Sequence, residues 1–250
     1  MKKTILSITI VAMVLALTVS GAEARFKNTI NFEDNQFVDM NKLEILHRYQ
    51  EISGAEPDTW DRTDFSYEVR YGVLYNFELG VNIPLKFYEN GENGIGDLGI
   101  QQKFKFIDEK DNPLDMSGGI ELILPTGDDK GNPPTGTDKV NARLFGSMGQ
   151  SIDKRLKWIA GSGGTFYGQN DVENKFSYNA AVRWQADEKL RLNTELNGEV
   201  GGRPDNSELY ASPGVIYRPQ KGFSLTFSAP IGVTSDSSDH RLNFQMIHEF

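Results

Sequence analysis

Between Phe65 and Phe87 almost every second residue is apolar or aromatic: Phe65, Tyr67, Val69, Tyr71, Val73, Tyr75, Phe77, and onward to Phe87. Ser66, Glu68, Arg70, Asn76, Glu78, Asn82 and Lys86 fill the places between, and only Leu74, Pro84 and Tyr88 break the pattern. Successive side chains of a β-strand point to opposite faces, so this alternation demands a sheet with one oily and one wet face. Run straight, the stretch would reach roughly 76 Å at about 3.3 Å per residue. The chain must fold back, and the spacing predicts the reversal at Tyr75-Asn76-Phe77. A three-residue loop pairs residues of equal parity and keeps the apolar face continuous. Each half then has about the 9–11 residues with which a strand crosses a membrane.

The same rhythm divides the chain from Leu43 onward into twelve extended segments, at about 43–53, 62–75, 77–88, 95–107, 114–125, 139–150, 156–167, 175–186, 189–200, 207–218, 222–232 and 240–250. Their connections alternate between short turns and longer loops rich in Gly, Asp, Asn and Pro. The predicted fold is all-β: a single antiparallel up-and-down transmembrane β-barrel of about 12 strands over residues 43–250, with both ends on the short-turn rim in the periplasm. Low mean hydropathy (-0.46) fits a membrane protein only in a barrel, where interior residues dilute the average. The net charge of -9 gives no footprint for nucleic acid, and the absence of cysteine removes disulfides, thiolate catalysis and thiolate metal sites.

Lys2-Lys3 precede the apolar run Ile5 to Val19, and Ala22-Glu23-Ala24 supplies a small-x-small cleavage site. Residues 1–24 read as a secretory signal peptide, cut after Ala24, which places the mature chain in the outer membrane of a Gram-negative bacterium. Residues 25–42 show no sustained period and read as an N-terminal periplasmic extension, either flexible or tucked into the pore.

Periodicity alone does not say which face meets lipid. Aromatics near predicted strand ends (Tyr75, Phe77, Phe87, Tyr88, Phe104, Phe106) match the girdles of membrane barrels, and twelve strands exceed the common eight-stranded soluble barrel. An Arg or Lys on the lipid face costs about 2–4 kcal/mol near the midplane. By parity Arg70, Lys86, Glu121, Arg143, Arg183, Arg191 and Glu195 therefore line the lumen. If acids and bases pair across it the pore is narrow. A ladder of Arg143, Arg183 and Arg191 left unpaired would favour acidic solutes. The final Phe250 resembles the C-terminal signature of bacterial outer-membrane proteins, and that resemblance implies recognition by the barrel assembly machinery. His248, two residues earlier, departs from the apolar residue usual there.

The stretches Gly94 to Phe106 (GIGDLGIQQKFKF) and Glu121 to Gly131 (ELILPTGDDKG), with the opening hairpin Tyr67 to Pro84, resemble the transporter-like outer-membrane family named for the meta-pathway of phenol degradation. The resemblance implies a barrel with a transport role, and the family's name does not by itself assign a phenolic substrate.

Other motifs carry less. The glycines from Gly94 to Gly99 precede alternation and not a helix, which reads as a turn and not a nucleotide loop. Asp128, Asp129 and Asp138 are chemically suited to calcium but lack EF-hand spacing, so a solvated loop is expected over Thr126–Asp138. His47, His240 and His248 show no strand pairing with a serine of the kind an outer-membrane phospholipase needs. No catalytic, cofactor-binding or metal residue is assigned. The expected function is passage of small solutes, aromatic or acidic compounds among them. A structural or adhesive barrel with a filled lumen is the alternative, and a phospholipase is the third. The expected partners are outer-membrane lipid, the assembly machinery at the C-terminal strand and a small-molecule solute. A closed barrel resists detergent, so unboiled and boiled samples of the mature chain are expected to migrate differently on a denaturing gel; identical migration would count against the barrel.

Overall fold

The computed structural model describes residues 37–53, 61–169, 172–201, 207–238 and 240–250, with only the backbone at His240. The signal peptide and the first part of the 25–42 extension lie outside the described residues. The strands are β1 (Leu43–Ser53), β2 (Arg62–Leu74), β3 (Phe77–Tyr88), β4 (Gly94–Ile95), β5 (Leu98–Ile107), β6 (Asp115–Leu124), β7 (Asn141–Ser151), β8 (Leu156–Phe166), β9 (Lys175–Gln185), β10 (Leu190–Gly201), β11 (Ser207–Gln220), β12 (Phe223–Ser228), β13 (Ile231–Gly232) and β14 (His240–Glu249). Neighbours in sequence pair antiparallel around the wall, and β14 returns to β1, closing a twelve-strand barrel to which the two-residue β4 and β13 are appended. At the seam Leu43 N donates to Phe250 O (3.3 Å) and Phe250 N to Leu43 O (2.8 Å).

The opening hairpin reverses differently from the expectation. Leu74 pairs with Phe77 across the two-residue turn Tyr75-Asn76, and a bulge between Gly72 and Leu74 shifts the register, so that Tyr71 faces Leu79. The bulge, not a three-residue loop, restores equal parity. Beyond the β1 ladder the backbone of Gly72 pairs with the N-terminal segment. Asn41 N donates to Gly72 O (2.7 Å), and Gly72 N donates to Lys42 O (3.2 Å). A Cβ at residue 72 would stand 2.2 Å from Asp39 O, so only glycine admits this approach.

Two predicted segments are interrupted. The segment 95–107 breaks at Gly96-Asp97, where Gly96 N donates to Pro84 O (2.8 Å). The segment 222–232 breaks at Ala229-Pro230, because proline has no N–H for the ladder. Short turns use aspartate as the stop. Asp153 Oδ1 accepts from Arg155 N and Leu156 N (2.6 and 2.8 Å), and Asp187 Oδ1 accepts from Lys189 N and Leu190 N (2.7 and 2.9 Å). Gly222 takes φ 78° in the turn between β11 and β12, a conformation L side chains rarely adopt.

The two faces separate as the alternation requires. Val69, Leu144, Val182 and Leu196 are exposed on the outer wall, while Arg70, Lys103 and Glu195 are buried inside. Phe77 and Phe104 stack at 4.8 Å near the short-turn rim, and Phe65 meets Tyr49 and Phe87 edge-on toward the other. Tyr88 does not join this belt. Its parity in β3 is that of the buried residues, and its hydroxyl donates to Pro134 O (3.1 Å). Leu196 lies mid-strand on the lipid side, half-exposed. Leu196→Arg is expected to lower stability in lipid vesicles by about 2–4 kcal/mol, read from urea unfolding.

Candidate functional site

A polar interior inside an apolar cylinder forces its charges to find partners, because an unpaired charge at low dielectric is costly. Toward the short-turn rim Arg70 lies among three glutamates: Glu68 (2.5 Å), Glu78 (3.9 Å) and Glu44 (4.0 Å). Glu78 also holds the N-terminal segment, since Val38 N donates to its Oε2 at 2.7 Å. Beside it the ring of Phe37, 4 % exposed, lies under Lys103 Nζ (4.7 Å) and Lys105 Nζ (5.2 Å). Residues 37–42 form a strap along the short-turn ends of β2, β3 and β5, bonded to β2 and β3.

On β6 to β8 the partners are local. Arg143 Nε stands 2.9 Å from Glu121 Oε2, which removes Arg143 from an unpaired ladder, and its guanidinium lies 5.3 Å from the Phe145 ring. Lys157 Nζ donates to Glu109 Oε2 (2.8 Å) and Asp115 Oδ2 (2.7 Å), tying the turn 108–114 to the barrel interior. Across β9 to β11, Arg191 lies opposite Gln185 and Ile216, so Arg183 and Arg218 sit one diagonal step away on either side. Arg191 Nη2 reaches Gln185 Oε1 at 3.4 Å. Glu195 is fully buried, with Asn193 Nδ2 donating to its Oε1 at 2.6 Å. Lys86, opposite Asp64 in the register, occupies the long-loop half of the same interior.

The two motifs Gly-Asp and Leu-Pro-Thr-Gly-Asp meet in space. The Asp97 carboxylate accepts from Gly127 N (3.0 Å), Thr137 N (2.8 Å) and Thr137 Oγ1 (2.6 Å). Thr126 Oγ1 donates to Gly96 O (3.0 Å) and accepts from Leu98 N (2.9 Å). The motifs are a clamp for the loop 126–138. That loop is not simply solvated: Pro133 and Thr135 are buried, and Pro134 O meets the inward Tyr88. Among the described residues no group of His, Cys, Asp and Glu is placed to hold a metal.

Of the histidines with described side chains, His47 meets Tyr67 edge-on at 5.0 Å, and His248 stacks on Phe250 at 4.4 Å. Both lie on the outward parity of the seam strands. The sequence reading missed Arg48. It sits on the interior face of β1, between Ser66 and Gln245, in the segment with the least regular alternation. The signal that would have found it is parity counted back from the closing strand.

A closed antiparallel barrel, oily outside and charged inside, with short turns at one rim and long loops at the other, is the build of outer-membrane channels. The chain matches the family model described as "Putative MetA-pathway of phenol degradation" over residues 38–248, and it belongs to that family. Its fold is similar to an outer-membrane channel from Pseudomonas putida F1, with TM-score 0.70 and 15% identity over 89% of this chain and 100% of that one. It is also similar to the KdgM porin (TM-score 0.56, 11% identity, 83% of this chain and 99% of that one) and the NanC porin (TM-score 0.55, 9% identity, 83% and 98%). No curated protein sequence matches the chain.

Glu109 lies in the turn, outside the membrane-crossing strands. Partial burial pushes its carboxyl up, but hydrogen bonds from Lys157 and Ser151 outweigh this and hold it at about 2. Its unfolded value is about 4.3. A depressed folded value adds stability that is present above the unfolded value and lost as pH falls through the folded one. Acid-unfolding curves of the wild type and Glu109→Gln are therefore expected to differ at neutral pH and to converge as pH falls from about 4.3 toward 2.

Proposed function

We propose that this barrel passes small solutes across the bacterial outer membrane, with aromatic and acidic compounds as its candidate cargo. The observation that carries the reading is a closed wall whose interior is lined by polar and ionisable side chains, a design that serves water and solutes and not a dry core. The channels and porins of like fold support it. On this reading the signal peptide directs export, lipid surrounds the apolar wall, and Phe250 on the closing strand engages the assembly machinery. No catalytic step is assigned.

The arrangement of charge gives the path its character. The cations Arg183, Arg191 and Arg218 gather on β9 to β11, while Glu44, Glu68 and Glu78 gather around Arg70 on β1 to β3. A solute passing the short-turn mouth meets opposite signs on opposite walls, with the Phe37–Val38 strap between them and it. The strap also favours a second reading, a structural barrel with a filled lumen, because Phe37 and Val38 are buried beside the interior charges at that rim.

Planar-bilayer recording separates the two. The purified mature chain is expected to conduct, and a form lacking residues 25–40 is expected to conduct more, because the strap contacts of Val38 with Glu78 and of Phe37 with Lys103 are then gone. If both forms stay silent at all voltages and salts, the lumen is filled and the channel reading fails.

A further inference from the structure

Toward the long loops the inward charges of β9 to β11 are matched. Lys175 meets Glu199 at 2.5 Å, and Glu208 meets Arg241 at 3.0 Å. From mid-strand to the short turns they are not matched. Arg183, Arg191 and Arg218 share that half of the three strands with one inward acid, Glu195, which is 0 % exposed.

The register sets the three arginines side by side. Arg191 faces Ile216, and Arg218 lies two residues further along the same face of β11. Arg218 N donates to Lys189 O at 2.8 Å, so the ladder runs on to that rung without a break. Diagonal neighbours of this kind stand roughly 7–8 Å apart, within the reach of two long side chains. Arg183 holds the equivalent place on β9. Like charges at this spacing repel, and the repulsion is a standing cost of the empty barrel. Arg191 Nη2 also reaches Gln185 Oε1 at 3.4 Å, which brings a side-chain amide to the same place.

A second observation concerns which charges a solute can touch. On the facing wall Glu44, Glu68 and Glu78 are 6 %, 6 % and 1 % exposed, drawn onto Arg70, with Phe37 and Val38 buried beside them. Glu121 is drawn onto Arg143, and the arginine side chain is 31 % exposed against 11 % for the acid. Glu109 and Asp115, on the β8 side, are held by Lys157. Gln185, Arg191 and Arg218, by contrast, are each only partly buried on the inner face near the short-turn rim. The carboxylates at this end lie back in the wall, and the surface left open is cationic.

We propose that the short-turn half of β9 to β11 is the charge filter of the transport path, passing small organic carboxylates in preference to cations. Arg191 and Arg218 give a carboxylate charged, forked partners. An anion between the guanidinia relieves their repulsion, a cation adds to it, and an uncharged solute does neither. The facing glutamates offer a cation almost no surface to bind. The filter rests on the solute-channel reading, and of the two candidate cargoes it selects the acidic one. Carboxylate binding to it is measurable without transport.

The test is calorimetric titration of the full mature chain in detergent micelles with three probes of one shape and different charge: benzoate, benzyl alcohol and benzylammonium. Benzoate is expected to bind about fivefold more tightly than either of the others, the upper end for one part-exposed ion pair. Arg191→Gln and Arg218→Gln are each expected to lose part of that preference, and the double variant all of it. Arg191→Lys, which keeps the charge and loses the fork, is expected to lose less than Arg191→Gln. Lys154→Gln makes the same change of charge on an exposed turn and is expected to leave the preference unaltered. Heat-modifiable migration reports that each variant is folded. Equal binding of the three probes, or a benzoate preference that survives both single variants, overturns the filter. In planar bilayers under a potassium chloride gradient, the reversal potential is expected to have the sign of chloride preference. A conducting barrel that prefers potassium overturns the filter and leaves the channel reading standing. A barrel silent in bilayers that still prefers benzoate overturns the channel reading and leaves the carboxylate site standing.

Discussion

Everything in this molecule depends on the return of β14 to β1. A strand edge inside hydrocarbon leaves a row of N–H and C=O groups with no water to meet them, each costing several kcal/mol, so a sheet survives there only as a cylinder. The ten-residue register from Glu44 opposite Glu249 to Ser53 opposite His240 supplies the missing row. The reciprocal bonds between Leu43 and Phe250 finish it at the rim. This gives the terminal phenylalanine a role in the fold independent of any recognition it undergoes: its backbone is the last rung.

Closure in turn sets the interior. Once the wall is complete, the even-numbered face of β2 and β3 and its equivalents elsewhere are confined to a space between lipid-embedded walls, where charges interact more strongly than in bulk water. The result is a set of small networks and not one long one. Arg70 gathers three glutamates, Lys157 gathers two acids from the turn and β6, and Arg241 joins Glu208, Tyr210 and Ser238. Each network joins different strands: Arg70 on β2 reaches β1 and β3, Lys157 on β8 reaches β6, and Arg241 on β14 reaches β11.

Much of the wall was legible in the sequence because period two is a backbone property that no tertiary contact overrides. The strands from β5 to β11 fall within a few residues of the alternating segments. What was illegible came from contacts between distant stretches. Gly72 looked like one more polar place in the alternation, and the need for glycine there comes from Asp39, whose backbone approaches from outside the strand. Asp97 and Thr126 to Asp128 were visible as motifs, but that they grip each other required β5 to lie beside β6. Arg48 was hidden by its strand, where His47 and Tyr49 carry the outward face with less grease than their equivalents elsewhere. Tyr88 was read as belt and not as interior because its ring type outweighed its parity.

The strap at residues 37–42 bears on how the molecule is assembled. Its bonds run to Gly72 and Glu78, and its ring contact to Lys103 and Lys105, so every partner belongs to β2, β3 or β5. These contacts close stretches of 30 to 68 residues, and loop-closure cost grows only slowly with length. The leading arm and the first few staves can thus come together as a unit, and the rest of the barrel is then built around an arm already seated.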